Sequence, residues 1–222
     1  SRTLLKILLN DGFQESDETK QAIFSVIKII LDCTATDGTY NQDEKQSDIS
    51  FPFWFSFFEN FYYYSDCYTD IICDLFDPLV DSLMAVLVSK AKYPTATIYH
   101  QLWDDDKRES FRCYRQDLGD NISLVSQFPR AKERILKQLY EQLAYELAQT
   151  SQVVPGQIVI PEHEKPWQKL EAIIFAIKSI GEAIPYDEST YVSKIFDLLT
   201  KLPYNESRVE LYCSVAEMIS AY

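Results

Sequence analysis

PWQKLEAIIFAIKSIGEAI, residues 166 to 184, decides how this chain folds. Pro166 and Trp167 open a run in which Trp167, Leu170, Ile174 and Ile177 recur at helical spacing, and Ile173, Ile180 and Ile184 widen the same face. Phe175 lies on another side altogether. An apolar surface this broad needs neighbours on at least two sides. The helix therefore belongs within a stack of helix pairs rather than on the edge of a compact domain.

Working outward, the apolar periodicity predicts helices over 3–9, 16–33, 49–64, 67–93, 104–127, 129–149, 167–183, 187–201 and 205–222. On the second of these, Ala22, Ile23, Val26, Ile27, Ile30 and Leu31 form the expected core face. Pro129 suits the first turn of the helix it opens. Residues 35–47, rich in Asp, Thr, Asn and Gln, read as a solvated loop. Residues 150–165 hold three prolines and read as a long connection with a short apolar stretch at Gln157 to Ile160. Paired in order, the helices give a partial repeat (1–33), repeats at 49–93, 104–149 and 166–201, and the first helix of another (205–222). Successive second helices start about 50–60 residues apart, more than the roughly 40–47 of helical repeats of this kind, and long loops supply the excess. No pair buries its own apolar surface, so stacking supplies the stability and the two end units expose apolar faces.

The chain has 222 residues, five of them glycine, and no Gly-rich loop follows a strand-like run. It begins without methionine and stops inside a helical pattern, which reads as a piece of a longer solenoid. Lys and Arg number 21 against 34 Asp and Glu, a net charge of −13. That balance repels nucleic acid and anionic membranes, so neither is an expected partner; basic proteins or basic peptide segments are favoured. Simple solubility of a sticky solenoid is the plainer account of the same charge. Five scattered cysteines (Cys33, Cys67, Cys73, Cys113, Cys213) without a CxxC pair read as buried reduced thiols of an intracellular protein. No apolar run reaches membrane-spanning length.

Several blocks carry a family resemblance. Trp167-Gln168-x-x-Glu171-Ala172 followed by Ser179-Ile180-x-Glu182 resembles a middle HEAT repeat of the β-karyopherins, the nuclear transport receptors. FPFWFSFFENF (Phe51 to Phe61) is similar to the aromatic first helix of an earlier repeat. LVDSLMAVLVSKAKYP (Leu79 to Pro94) and WDDDKRESFRCYRQDLGDNI (Trp103 to Ile122) follow in the family's order. The Phe111-Arg112-x-Tyr114-Arg115-x-Asp117 run is the most specific part and narrows the resemblance to one branch. The likeness covers about residues 50 to 222. It implies an all-α HEAT-repeat solenoid, an α-α superhelix of antiparallel helix pairs. It also implies a receptor that shuttles between cytoplasm and nucleus, binds protein cargo on its concave surface, and meets Ran-GTP and nucleoporin Phe-Gly repeats through its full length. Ran docks mainly on amino-terminal repeats in that family. A non-shuttling HEAT scaffold is the rival in another class.

In solenoids of this class the second helices line the concave surface, which singles out two rows. Asp70, Asp74, Asp77 and Asp81, spaced four, three and four apart, share a stripe within roughly 60° of helix circumference. Ile72, Leu75, Phe76, Leu79, Leu83 and Val86 are expected on the opposite side. Like charges so spaced repel by a few tenths of a kcal/mol per pair, so helix stability does not explain the row. On the next second helix Arg130, Arg134 and Lys137 share a stripe with Glu141, opposite Ile135, Leu139 and Leu143. These seven residues are the candidate cargo contacts. A solvated face, or ion pairing between the two rows, is the alternative use of the same charges.

Other features have structural readings. Asp104 to Asp106 favour the positive end of a helix dipole, and no histidine completes a metal site beside them. The FWFSFF run reads as packing between repeats, with Tyr62 to Tyr64 able to reach the surface. His100 and His163 lie in loops without a nucleophile or carboxylate at diagnostic spacing, and no P-loop, nucleophile elbow or zinc pattern occurs. No catalysis and no cofactor are expected.

Overall fold

Helix formers with apolar residues every three or four positions fold as the periodicity predicts. The computed structural model describes residues 17–63, 70–150, 152–154, 157–159, 167–185, 187–202 and 209–222. Its helices are α1 (Asp17–Thr34), α2 (Phe51–Tyr63), α3 (Asp70–Lys90), α4 (Asp105–Ser126), α5 (Ala131–Thr150), α6 (Trp167–Ser179), α7 (Val192–Leu199) and α8 (Val209–Ala221). Short 3-10 turns lie at Ser47–Ser50 and Gly181–Ala183, and a wider helical turn at Ile98–Leu102. The sequence-predicted helix at 3–9, Cys67 and Tyr64 lie outside the described residues.

Alternate helices form two layers. In one, α2, α4, α6 and α8 lie side by side; in the other, α1, α3, α5 and α7 do. The buried apolar side chains make one continuous core from Ile23 to Met218 rather than a centre on which every helix converges. That is the stacked-pair architecture expected from the breadth of α6, where Leu170, Ile173, Ile174 and Ile177 are all buried. Trp167, at its start, is only half-buried and lies against Tyr93 with ring centroids 5.8 Å apart.

The aromatic helix α2 fills the space between layers. Trp54, Phe57, Phe58 and Phe61 are buried, and Phe61 meets Phe76 of α3 and Phe128 at the α4–α5 corner in edge-on contacts of 5.2 and 5.3 Å. On α1, Ile23 and Ile27 are buried, Ile30 and Leu31 half-buried, and Ala22 and Val26 exposed. The outermost described helices carry exposed apolar side chains, Ile29 on α1 and Val209 and Ile219 on α8.

Four local expectations are corrected. On α3 the core row is Cys73, Phe76, Val80, Leu83 and Leu87, while Leu75 is exposed. This face is rotated by roughly 70° from the one read in the sequence, toward the aspartates. Pro129 precedes α5 rather than opening it: Ala131 donates to Phe128 O at 3.0 Å, and Arg130 takes a left-handed φ of 64°. Of the cysteines, Cys73 is buried, but Cys33, Cys113 and Cys213 are exposed. Within 150–165, a two-stranded antiparallel ribbon pairs β1 (Gln152–Val154) with β2 (Gln157–Val159), Val153 opposite Ile158.

Residues 35–47 are not a free loop either. Glu44, Ser47 and Ser50 are buried, and the Glu44 carboxylate accepts from the backbone of Gln46 (2.8 Å) and Ser47 (3.1 Å), the Ser47 hydroxyl (2.6 Å) and Lys90 Nζ (3.1 Å). Lys90, at the end of α3, also donates to Thr36 O and Gly38 O. Gly38 sits at φ 112°, and a Cβ there would lie 2.8 Å from Asp43 Cβ, so the turn needs glycine.

Candidate protein-binding face

The two charged rows meet. Helices α3 and α5 are neighbours in one layer, and the corner before α5 brings Arg130 to the amino-terminal half of α3. Arg130 Nη2 donates to Asp74 at 2.6 Å and reaches Asp77 at 3.4 Å, and Nη1 lies 3.5 Å from Asp70. One turn into α5, Arg134 Nε donates to Asp81 at 2.9 Å and Nη1 lies 3.0 Å from Asp77. The left-handed backbone at Arg130 is uncommon for a residue with a Cβ, and here it sets the guanidinium over the acidic row. The hydrogen bond to Asp74 foremost raises the Arg130 pKa above its ordinary value, so the group stays charged.

Rotation of the α3 core face explains the gradient along this ladder. Asp70 and Asp74 are exposed, while Asp77 and Asp81 sit at the border of the core and are half-buried. Four carboxylates face two guanidinium groups, so the ladder keeps a net negative charge. Lys137 does not join it; its Nζ lies 3.9 Å from Glu141 on its own helix.

Asp104 caps α4, its side chain accepting from Lys107 N at 2.9 Å. His100, on the Ile98–Leu102 turn, lies 3.1 Å from Glu210 of α8. Among the described residues no His, Cys, Asp and Glu cluster is arranged to hold a metal, and no helix is long and apolar enough to cross a membrane.

What sequence reasoning missed is a buried ionic node between the motif blocks. Arg115 of α4 donates to both carboxylate oxygens of Glu171 on α6, at 2.9 and 2.6 Å, and to Ala91 O at the end of α3. Its guanidinium is sandwiched by Tyr93 and Phe175, 4.3 and 4.2 Å from the ring centroids. Ser214 of α8 donates to Glu171 Oε1 at 2.6 Å. The preceding residue, Tyr114, shares a hydrogen bond of 2.9 Å with Ser47 and stacks on Tyr40 with centroids 4.0 Å apart. The two motifs quoted for the resemblance, around Phe111 to Asp117 and Trp167 to Ala172, are thus in direct contact.

Comparison with known proteins agrees with this geometry. The solved structure of importin-13 in its cytosolic state superposes with a TM-score of 0.80, covering 98% of this chain and 24% of that one at 26% identity. Importin-13 of Gallus gallus and of Homo sapiens are each 26% identical over 201 residues, 90% of this chain. The chain is similar in both sequence and fold to a segment of importin-13. The importin-13-like segment spans about a fifth of the length of these curated relatives, 19%. No family model matches it. Its architecture is accordingly the HEAT-repeat solenoid of that structural neighbour.

Proposed function

We propose that the chain is part of a Ran-dependent nuclear transport receptor that binds protein cargo and carries it between cytoplasm and nucleus. The match in fold and sequence to importin-13 over nine-tenths of the chain carries this reading. Cargo with basic segments suits the net charge of −13 and the excess of carboxylates along the Asp70 to Asp81 ladder. Asp70 and Asp74, at its exposed end, are the first contacts for such cargo; Arg130 and Arg134 compete for the same carboxylates. Lys137 lies on the adjoining stretch of α5. Partner choice and approach rate, more than raw affinity, are what exposed charges of this kind set.

The test is capture of GTP-loaded Ran and of nucleoporin Phe-Gly repeats by the full-length protein, with release of bound cargo when Ran-GTP is added. Binding to both supports a shuttling receptor. Failure to bind either leaves a HEAT scaffold that assembles partners without transport.

A further inference from the structure

Helix α3 carries a proline in its middle, Pro78. It has no N–H to offer the carbonyl of Asp74, and its ring crowds that carbonyl, so the helical ladder is weakest there. One turn on, the Ser82 hydroxyl donates to Pro78 O at 2.7 Å, a side-chain bond to the i−4 carbonyl of the kind that bends helices. Two bending devices thus fall on one turn. They divide α3 into an amino-terminal arm, residues 70–77, and a carboxy-terminal arm, residues 79–90.

The two arms are fastened by different means. At the carboxy-terminal end Lys90 pairs with Glu44 at 3.1 Å, the side chains 7% and 2% exposed, and Ala91 O just beyond accepts from Arg115. The amino-terminal arm is anchored inward by Phe76, which meets Phe61 at 5.2 Å. Its outer side is held by Arg130, which reaches Asp70, Asp74 and Asp77. Arg134 straddles the proline, binding Asp77 before it and Asp81 after it. Salt screens exposed charges and hardly reaches buried ones. Arg130 is 43% exposed, and Asp70 and Asp74 are 91% and 72% exposed. The outer fastening therefore answers to ionic strength, and the carboxy-terminal one does not.

We infer that α3 is a hinged helix, with Pro78 and Ser82 as the hinge and the Arg130 and Arg134 ion pairs as a salt-sensitive latch. At low ionic strength the latch holds the amino-terminal arm to the start of α5. When the pairs are screened, that arm tilts at Pro78 while the carboxy-terminal arm stays pinned. Phe76 remains in the aromatic core throughout, so the motion is a local opening of the helix and not an unfolding step. The device concerns α3 and its neighbours alone, and it stands whether or not the transport reading does.

The experiment is amide hydrogen exchange of the full chain, resolved by peptide mass spectrometry at constant pH in sodium chloride. Raising salt from about 50 mM to about 500 mM shortens the Debye length from roughly 14 to roughly 4 Å. Rates are normalised to the denatured chain at the same salt. Residues 74–81 should exchange about two- to fivefold faster at high salt, the range set by exposed ion pairs, and residues 83–90 should not change. Arg130→Gln should show the faster exchange already at low salt, with the melting temperature nearly unchanged. Pro78→Ala, which restores the missing amide, should slow exchange over 74–81 and shrink its response to salt. The hinge is overturned if salt speeds both arms equally or neither, or if Pro78→Ala keeps the full salt response. An Arg130→Gln protein that exchanges like wild type at low salt overturns the latch.

Discussion

The Arg115 guanidinium holds both oxygens of the Glu171 carboxylate, at 2.9 and 2.6 Å, across the boundary between α4 and α6. The side chains are 7% and 0% exposed, so each charge depends on the other for its solvation. Arg115→Met should cost about 3–5 kcal/mol because Glu171 is then buried without its cation. The double change Arg115→Met, Glu171→Met should recover much of that loss. Urea unfolding of the four members of the cycle measures it, and additive single effects would show that the pair is not coupled.

Trp54 and Trp167 should respond unequally. Trp54 is fully buried and its Nε1 donates to Thr34 Oγ1 at 2.8 Å, so Trp54→Ala should cost about 3–5 kcal/mol. Trp167 is half-buried, and Trp167→Ala should cost about half as much. Equal losses would place Trp167 in a tighter environment than its exposure indicates.

Glu44 ties stability to acid pH. Burial pushes its pKa up, but hydrogen bonds from the Ser47 side chain, the Gln46 and Ser47 backbone and Lys90 outweigh it, and the net shift is downward from 4.5. A carboxylate depressed in the folded state stabilises the fold above its unfolded pKa and loses that contribution as pH falls through the folded value. Stability should therefore drop below about pH 4.5, and Glu44→Gln should be less stable near neutrality but flatter over that range. Denaturant midpoints from pH 3 to 7 check the slope; parallel curves for the two proteins would remove Glu44 from the acid response.

The ladder should be uneven in energy. Asp74→Asn removes an exposed carboxylate and should leave the melting temperature nearly unchanged, while Asp77→Asn, half-buried between Arg130 and Arg134, should lower it measurably. Reversing Asp74 to lysine should slow capture of a basic cargo and reduce its salt dependence. Unchanged association kinetics would confine the row to pairing within the solenoid.

Thiol reactivity should separate the cysteines. Burial raises the Cys73 pKa and keeps it a protonated thiol, whereas Cys33, Cys113 and Cys213 are exposed. Iodoacetamide at pH 8 should label the last three in the folded protein and Cys73 only in denaturant, as read by peptide mass spectrometry. Labelling of Cys73 at a similar native rate would contradict its burial.

The layered architecture was legible because α6 is apolar on several sides at once, a pattern that only a stack satisfies. On α3 two interleaved apolar rows fit the same period, and nothing local told Cys73, Val80 and Leu87 from Leu79 and Val86 as the inner row. The opposite signs of the Asp70 to Asp81 and Arg130 to Arg134 rows were visible, but their meeting depended on the register between two helices and on the left-handed turn at Arg130. Arg115 and Glu171 stand 56 positions apart, beyond the reach of any spacing rule. Their motifs were conspicuous one by one; the contact between them exists only once the helices are stacked.

Tyr114 and Arg115 are consecutive, yet one ties α4 back to Ser47 and the other forward to α6 and, through Glu171, to α8. A single turn of helix thus acts as a splint across most of this stretch. When a rod of this kind changes its curvature, splinted units travel together as a lever arm, and the yielding falls on the joints to either side. Loosening that splint should make this stretch of the solenoid more pliable while leaving the Asp70 to Asp81 and Arg130 to Arg134 rows where they are.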